Sequence, residues 1–167
     1  PFAPMGLAFD FVKGEGPAIA NPIRSAADVA RLTTFDPEAL GHVLETIRIL
    51  RHELEGRVPL IGFGGAPFTL AAYLVEGRGS KEFSSIKHMM VRAPEVLRAL
   101  QARLTTLVVD YLAAQIEAGA QVVQLFDTWA GLLGPQDYEE WVLPVHREIA
   151  ARLDRSRAPL ILYVKGG

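Results

Sequence analysis

Apolar and polar positions follow two alternating periods along this chain. Short apolar runs close up at 57–63 (Arg57-Val58-Pro59-Leu60-Ile61-Gly62-Phe63), 120–126 and 157–164, each after a long stretch in which apolar residues recur every three or four positions. Helical stretches that feed short apolar strands predict the βα alternation of a parallel sheet, whose strands are buried on both faces. The helices have their own start and stop signals. Asp36 as N-cap and Pro37 at the first helical position introduce the stripe Leu40, Val43, Leu44, Ile47, Leu50 and Leu54. Pro94 opens a second helix with Leu97, Leu100, Leu104, Leu107, Val108, Tyr111, Leu112 and Ile116, and Gly119 is placed to end it. Pro135, Asp137, Glu139 and Glu140 start a third, with carboxylates where they complement the helix dipole, and it runs towards Arg152 and Arg155.

The gap between the first two strands is longer than one βα unit and predicts further elements. These are a helix from about Ala66 to Val75, the loop Glu76-Gly77-Arg78-Gly79-Ser80, and a short helix over 82–92. Nearer the N-terminus, Leu7 to Val12 reads as an edge strand, Gly14-Glu15-Gly16-Pro17 as a turn, and Ser25 with Asp28 as a helix start. No linker or low-complexity stretch divides the chain, so a single domain over 1–167 is expected. Three parallel strands cannot close a barrel, and a (β/α)8 barrel takes about 250 residues. The α/β fold expected is therefore the central portion of such a barrel, incomplete in this chain, with a doubly wound open sheet as the alternative.

Composition narrows the chemistry. Half of the 167 residues are hydrophobic and 22% are charged, a balance that buries a core. No apolar run approaches the roughly 20 residues of a membrane span, and no charged and apolar leader opens the chain, so a soluble, cytoplasmic protein with no membrane partner is expected. A net charge of −2 gives no general attraction for nucleic acid, and the lack of cysteine excludes disulfides and thiolate metal ligands. His42, His52, His88 and His146 fall in helical patterns at spacings unsuited to a metal and are expected at the surface or an interface. A start at Pro1 and a stop directly after a strand-like run read as a segment of a longer protein.

Chemistry concentrates at two strand ends. The first leads into Gly62-Phe63-Gly64-Gly65-Ala66-Pro67-Phe68-Thr69-Leu70, small residues where backbone must come close to a ligand or neighbour; it has neither phosphate-loop nor dinucleotide spacing. The second ends at Phe126-Asp127-Thr128-Trp129, and polar and aromatic residues clustered where parallel strands end are site candidates.

Four pieces in order, Val58–Leu70 (VPLIGFGGAPFTL), Tyr73–Ser80 (YLVEGRGS), Gly119–Gly134 (GAQVVQLFDTWAGLLG) and, more loosely, Met5-Gly6-Leu7 with Gly14-Glu15-Gly16-Pro17, resemble the uroporphyrinogen decarboxylase family. The resemblance implies a (β/α)8 barrel and a homodimer of the haem pathway. It implies decarboxylation of the acetate arms of uroporphyrinogen, a tetrapyrrole, to the methyl groups of coproporphyrinogen, with no metal and no organic cofactor. None is needed if protonation of a ring carbon beside the acetate-bearing position turns the pyrrole into its own electron sink. The site then requires a carboxylate near the pyrrole N–H groups, donors for the carboxylate arms and an apolar cleft.

Carried over residue by residue, the resemblance makes Tyr73 and Thr128 substrate-binding hydroxyls and Phe63 and Phe126 walls of the cleft, with Arg78 a candidate contact to a substrate carboxylate. It gives Asp127 a structural role or one of supporting the residues that touch substrate, and places no catalytic residue within these positions, because the family's essential aspartate falls upstream of Pro1. The family's N-terminal arginine motif and C-terminal histidine also have no counterpart here, so the 167 residues alone are expected to be inactive. Two other readings stay open: a methyltransferase on the same barrel, which would need zinc ligands from elsewhere, and a porphyrin-binding module without turnover.

Overall fold

The computed structural model describes residues 5–7, 9–12, 16–54, 56–80 and 82–166. Three strands, β3 (Ile61–Gly65), β4 (Val122–Asp127) and β5 (Leu160–Val164), form a parallel sheet in chain order, β3-β4-β5. Each strand joins beside its predecessor, the order in which a barrel accretes. The chain is part of a (β/α)8 barrel, incomplete within these residues.

The first strand lies further along than its apolar run. It starts after Pro59, which has no N–H to give a ladder, and Gly62, Gly64 and Gly65 belong to the strand rather than to the turn after it. The long helix α5 (Pro94–Ala118) explains two of these glycines. A Cβ at Gly62 would stand 2.7 Å from Gln115 Oε1 and 3.1 Å from the Ala120 Cβ, and one at Gly64 would touch Leu112 and Tyr111. The close neighbour is therefore a helix.

Gln115 uses that approach. Its carboxamide accepts from Phe63 N at 2.9 Å and donates to Phe63 O at 2.9 Å. Leu60 and Ala66 make their main-chain bonds to β4, so the alternation of a strand turns the Phe63 groups to the opposite edge. There Gln115 does what a neighbouring strand would do.

The helix signals hold. Asp36 caps a 3-10 turn at Pro37–Leu40 that leads into α2 (Gly41–Leu54); Leu44 and Ile47 are buried, whereas Leu50 is exposed. Ser25 and Asp28 form a reciprocal capping box on α1 (Ala26–Ala30). The helices α3 (Pro67–Glu76) and α5 both end on left-handed glycines, Gly77 and Gly119. The short helix α4 (Ser84–Arg92) buries Ile86, Met89 and Met90.

Two expectations need correction. The third helix is broken at Val142 into α6 (Pro135–Trp141) and α7 (Leu143–Arg152), and Arg155 lies beyond it. Pro144 has no N–H for the carbonyl four residues back and its ring crowds that turn, so one continuous helix is excluded. The N-terminal run holds an edge strand, β1 (Phe9–Val12), in a separate two-stranded sheet, but its antiparallel partner β2 (Gly16–Ile19) takes Gly16 and Pro17 out of the expected turn. Pro1, Gly14 and Glu15 lie outside the described residues. No helix among the described residues is long and apolar enough to cross a membrane.

Candidate functional site

Side-chain alternation divides the sheet into two faces. Gly62, Gly64, Val123, Leu125 and Asp127 turn to the helices and are buried. Ile61, Phe63, Gln124, Phe126, Ile161 and Tyr163 fall on the other face, where Phe63 is 61% exposed and Ile61, Ile161 and Tyr163 are also open. Rings cross this face at the carboxyl ends of the strands: Phe63 meets Phe126 edge-on at 5.9 Å, and Phe126 meets Tyr163 at 5.7 Å. Phe63 and Phe126 are thus brought together, and Tyr163 extends their row. Nothing in the third apolar run singled out Tyr163; the register that sets it opposite Phe126 does.

Tyr73 lies on α3, half-buried, with its ring edge-on to Phe83 at 6.1 Å and Trp129 at 6.0 Å. Trp129 is stacked obliquely on Phe83 at 4.5 Å. Phe83 takes a left-handed conformation (φ 49°) although it is bulky and 1% exposed, a strained geometry held by this packing. Thr128 directly precedes Trp129 in the turn after β4, so the Tyr73 ring and the Thr128 backbone are tied through one indole. Neither the Tyr73 nor the Thr128 hydroxyl has a hydrogen-bond partner among the described residues, so Thr128 does not spend its hydroxyl on its own turn. The Trp129 indole N–H is buried and also unpartnered among them. Arg78 follows Gly77, is exposed, and no ion pair or hydrogen bond among the described residues joins it to this cluster.

Beneath that turn sits a polar chain. Asp127, 1% exposed, accepts from Thr69 N at 3.1 Å and Thr69 Oγ1 at 2.7 Å through Oδ1. Thr69 is the third residue of α3, whose N-cap position, Ala66, offers no side-chain acceptor, so the Asp127 carboxylate caps that helix from another strand. Thr69 Oγ1 in turn accepts from Trp129 N at 3.0 Å. The second carboxylate oxygen accepts from His146 Nε2 at 2.8 Å, which leaves Nδ1 to accept a longer bond, 3.4 Å, from the Tyr138 hydroxyl. Burial, and then the Asp127 charge, push the Tyr138 hydroxyl above its ordinary pKa.

His146 is 2% exposed, so the expectation of a surface histidine is overturned for it. His42, His52 and His88 are exposed. The sequence holds no local signal for the pairing, since His146 lies 19 residues from Asp127, and Thr69 lies 58 residues from it. Asp127 points into the helix layer rather than to the ring-lined face, as a structural role requires. Among the described residues no three His, Asp or Glu side chains are grouped to hold a metal.

The family model described as "Uroporphyrinogen decarboxylase (URO-D)" matches residues 1–167. A protein named uroporphyrinogen decarboxylase from Trichlorobacter lovleyi is 55% identical over 167 residues, covering 99% of this chain and 48% of the relative. Another of that name, from Geobacter metallireducens, is 56% identical over the same length and shares. The chain therefore spans about half the length of the curated relatives it matches. Among solved structures, a methyltransferase from Methanosarcina mazei superposes with a TM-score of 0.74 at 21% identity, covering 99% of this chain and 48% of that one. At that identity the likeness is one of fold.

Proposed function

This chain belongs to the uroporphyrinogen decarboxylase family, and we propose that the full-length protein carrying it converts uroporphyrinogen to coproporphyrinogen, a carboxy-lyase reaction of haem biosynthesis. Each acetate arm loses carbon dioxide in the same way. A proton adds to the ring carbon beside the acetate-bearing position, the bond to the carboxylate carbon breaks with its electron pair flowing into the cationic ring, and protonation of the methylene yields the methyl group. The ring then loses the first proton. No metal or organic cofactor enters this balance.

The observation that best supports the reading is the open ring-lined face, Phe63, Phe126 and Tyr163, with Thr128 in the turn that leaves the strand bearing Phe126. A flat apolar macrocycle ringed by carboxylates calls for that combination: rings for its face and donors for its arms. We assign Phe63 and Phe126 to the macrocycle, Tyr73 and Thr128 to acetate or propionate carboxylates, and Arg78 to an outer carboxylate. The carboxylate that stabilises the pyrrole cation is assigned outside these residues. The same reading makes 1–167 the central portion of one barrel domain in a cytoplasmic homodimer.

The test is anaerobic incubation of the full-length protein with uroporphyrinogen, followed by oxidation and chromatographic separation of the porphyrins. Stepwise appearance of seven-, six-, five- and four-carboxyl products is expected, and unchanged uroporphyrin refutes the proposal.

A further inference from the structure

We propose that His146, through Asp127 and Thr69, is a positioning residue for the two substrate-binding hydroxyls; this rests on the decarboxylase reading above. The buried chain runs His146 Nε2–H to Asp127 Oδ2, Asp127 Oδ1 to Thr69, and Thr69 Oγ1 to the main chain of Trp129. It ends on the residue after Thr128, whose ring abuts Tyr73 at 6.0 Å. The turn bearing one hydroxyl and the ring bearing the other are thus set by the orientation of one carboxylate.

His146 holds that orientation. Both side chains are at most 2% exposed, so water does not replace a lost donor there. A carboxylate with one oxygen unpaired in such surroundings rotates towards another donor. That rotation breaks the paired bonds to Thr69 and releases Trp129 N. An arrangement serving packing alone would accept an apolar residue of similar size with no effect on substrate. The positioning role predicts an effect on binding, because Tyr73 and Thr128 contact carboxylate arms in ground state and transition state alike, and such uniform contacts appear in KM rather than kcat.

The experiment compares four variants of the full-length enzyme by thermal melting and by steady-state kinetics on uroporphyrinogen. His146→Leu keeps volume and removes the donor; His146→Gln restores an N–H at the Nε2 position; Thr69→Val, nearly isosteric, cuts the chain one link on. Val109→Ala in α5 is a buried change at a residue that makes no side-chain hydrogen bond to the chain, and it controls for lost stability. A misplaced charged hydrogen bond corresponds to about tenfold in affinity. The expected result is a KM raised about tenfold in His146→Leu and Thr69→Val with kcat within about twofold, a KM near wild type in His146→Gln, and a lower Tm with unchanged KM in Val109→Ala. If His146→Leu does not fold, Thr69→Val against His146→Gln makes the same comparison. An unmoved KM in His146→Leu or Thr69→Val, or a rise shared by His146→Gln or Val109→Ala, overturns the inference. Wild-type protein that leaves uroporphyrinogen unchanged refutes the decarboxylase reading and the inference with it; wild-type turnover with unmoved KM in the variants refutes the inference alone.

Discussion

Replacing Gln115 by Leu tests whether a side chain stands in for a strand at the edge of β3. Gln115 is 2% exposed and makes two hydrogen bonds, both 2.9 Å, to the N–H and carbonyl of Phe63. Each is worth about 1 kcal/mol net, and a buried main-chain group left without a partner costs about 1–3 kcal/mol. The Phe63 side chain is 61% exposed, so water can reach part of this edge and the cost belongs at the lower end. Gln115→Leu is expected to cost about 2–3 kcal/mol. Urea unfolding of the full-length protein measures this, and amide exchange at Phe63 reads the lost bond directly. The glycine beneath supplies a coupled check. Gly62→Ala puts a Cβ 2.7 Å from Gln115 Oε1, so its cost should shrink in a Gln115→Ala background, while the 3.1 Å contact with Ala120 remains. A loss below about 0.5 kcal/mol, unchanged exchange at Phe63, or strictly additive effects would refute the bridging role.

Other outcomes follow from separate parts of the molecule. Gly131→Ala would drive a Cβ into Lys165 O, a backbone atom, so it should lower Tm and disturb the turn after β5; an unchanged melting curve refutes that contact. Tyr73→Phe and Thr128→Val, each removing one hydroxyl, should raise KM for uroporphyrinogen several-fold to about tenfold with the fold intact, and unchanged kinetics remove these residues from the substrate site. The backbone N–H of Arg24, then the Ser25 hydroxyl, hold the Asp28 carboxyl below its ordinary range. Because its folded pKa lies below the unfolded one, its contribution is present above about pH 4 and fades as pH falls through the folded value. Asp28→Asn should lower the neutral plateau of a stability–pH curve and flatten its acid limb, and an acid limb as steep as wild type refutes this.

Local signals were readable and distant ones were not. Pro37, Pro94 and Pro135 mark helix starts because proline at a first turn sacrifices no hydrogen bond, and Gly77 and Gly119 end helices because a left-handed residue is needed there. Those effects act within a turn. The break at Val142 was missed because the apolar period continues across it, although Pro144 held the information. The placing of Phe63 and Phe126 on one face follows from strand alternation, but their meeting with Tyr163 needs the register of three strands. His146, Thr69 and Gln115 were not identified because each is defined by a partner 19 to 58 residues away. A buried histidine on a helix looks like an exposed one until its carboxylate is found.

The open face of the sheet has a colloidal consequence. Ile161 and Tyr163 on β5 and Ile61 and Phe63 on β3 are all more than 40% exposed, and β5 is an outer strand of the three. Apolar side chains beside an unpaired strand edge form a template for any other strand, including that of a second copy. Expressed by itself, the 167-residue segment should self-associate in a concentration-dependent way, seen as rising light scattering. Lysine substitutions at Ile161 and Tyr163 should suppress it, and scattering that stays flat would show that the edge is already protected. What makes this surface suited to a flat apolar macrocycle also makes it adhesive when left bare.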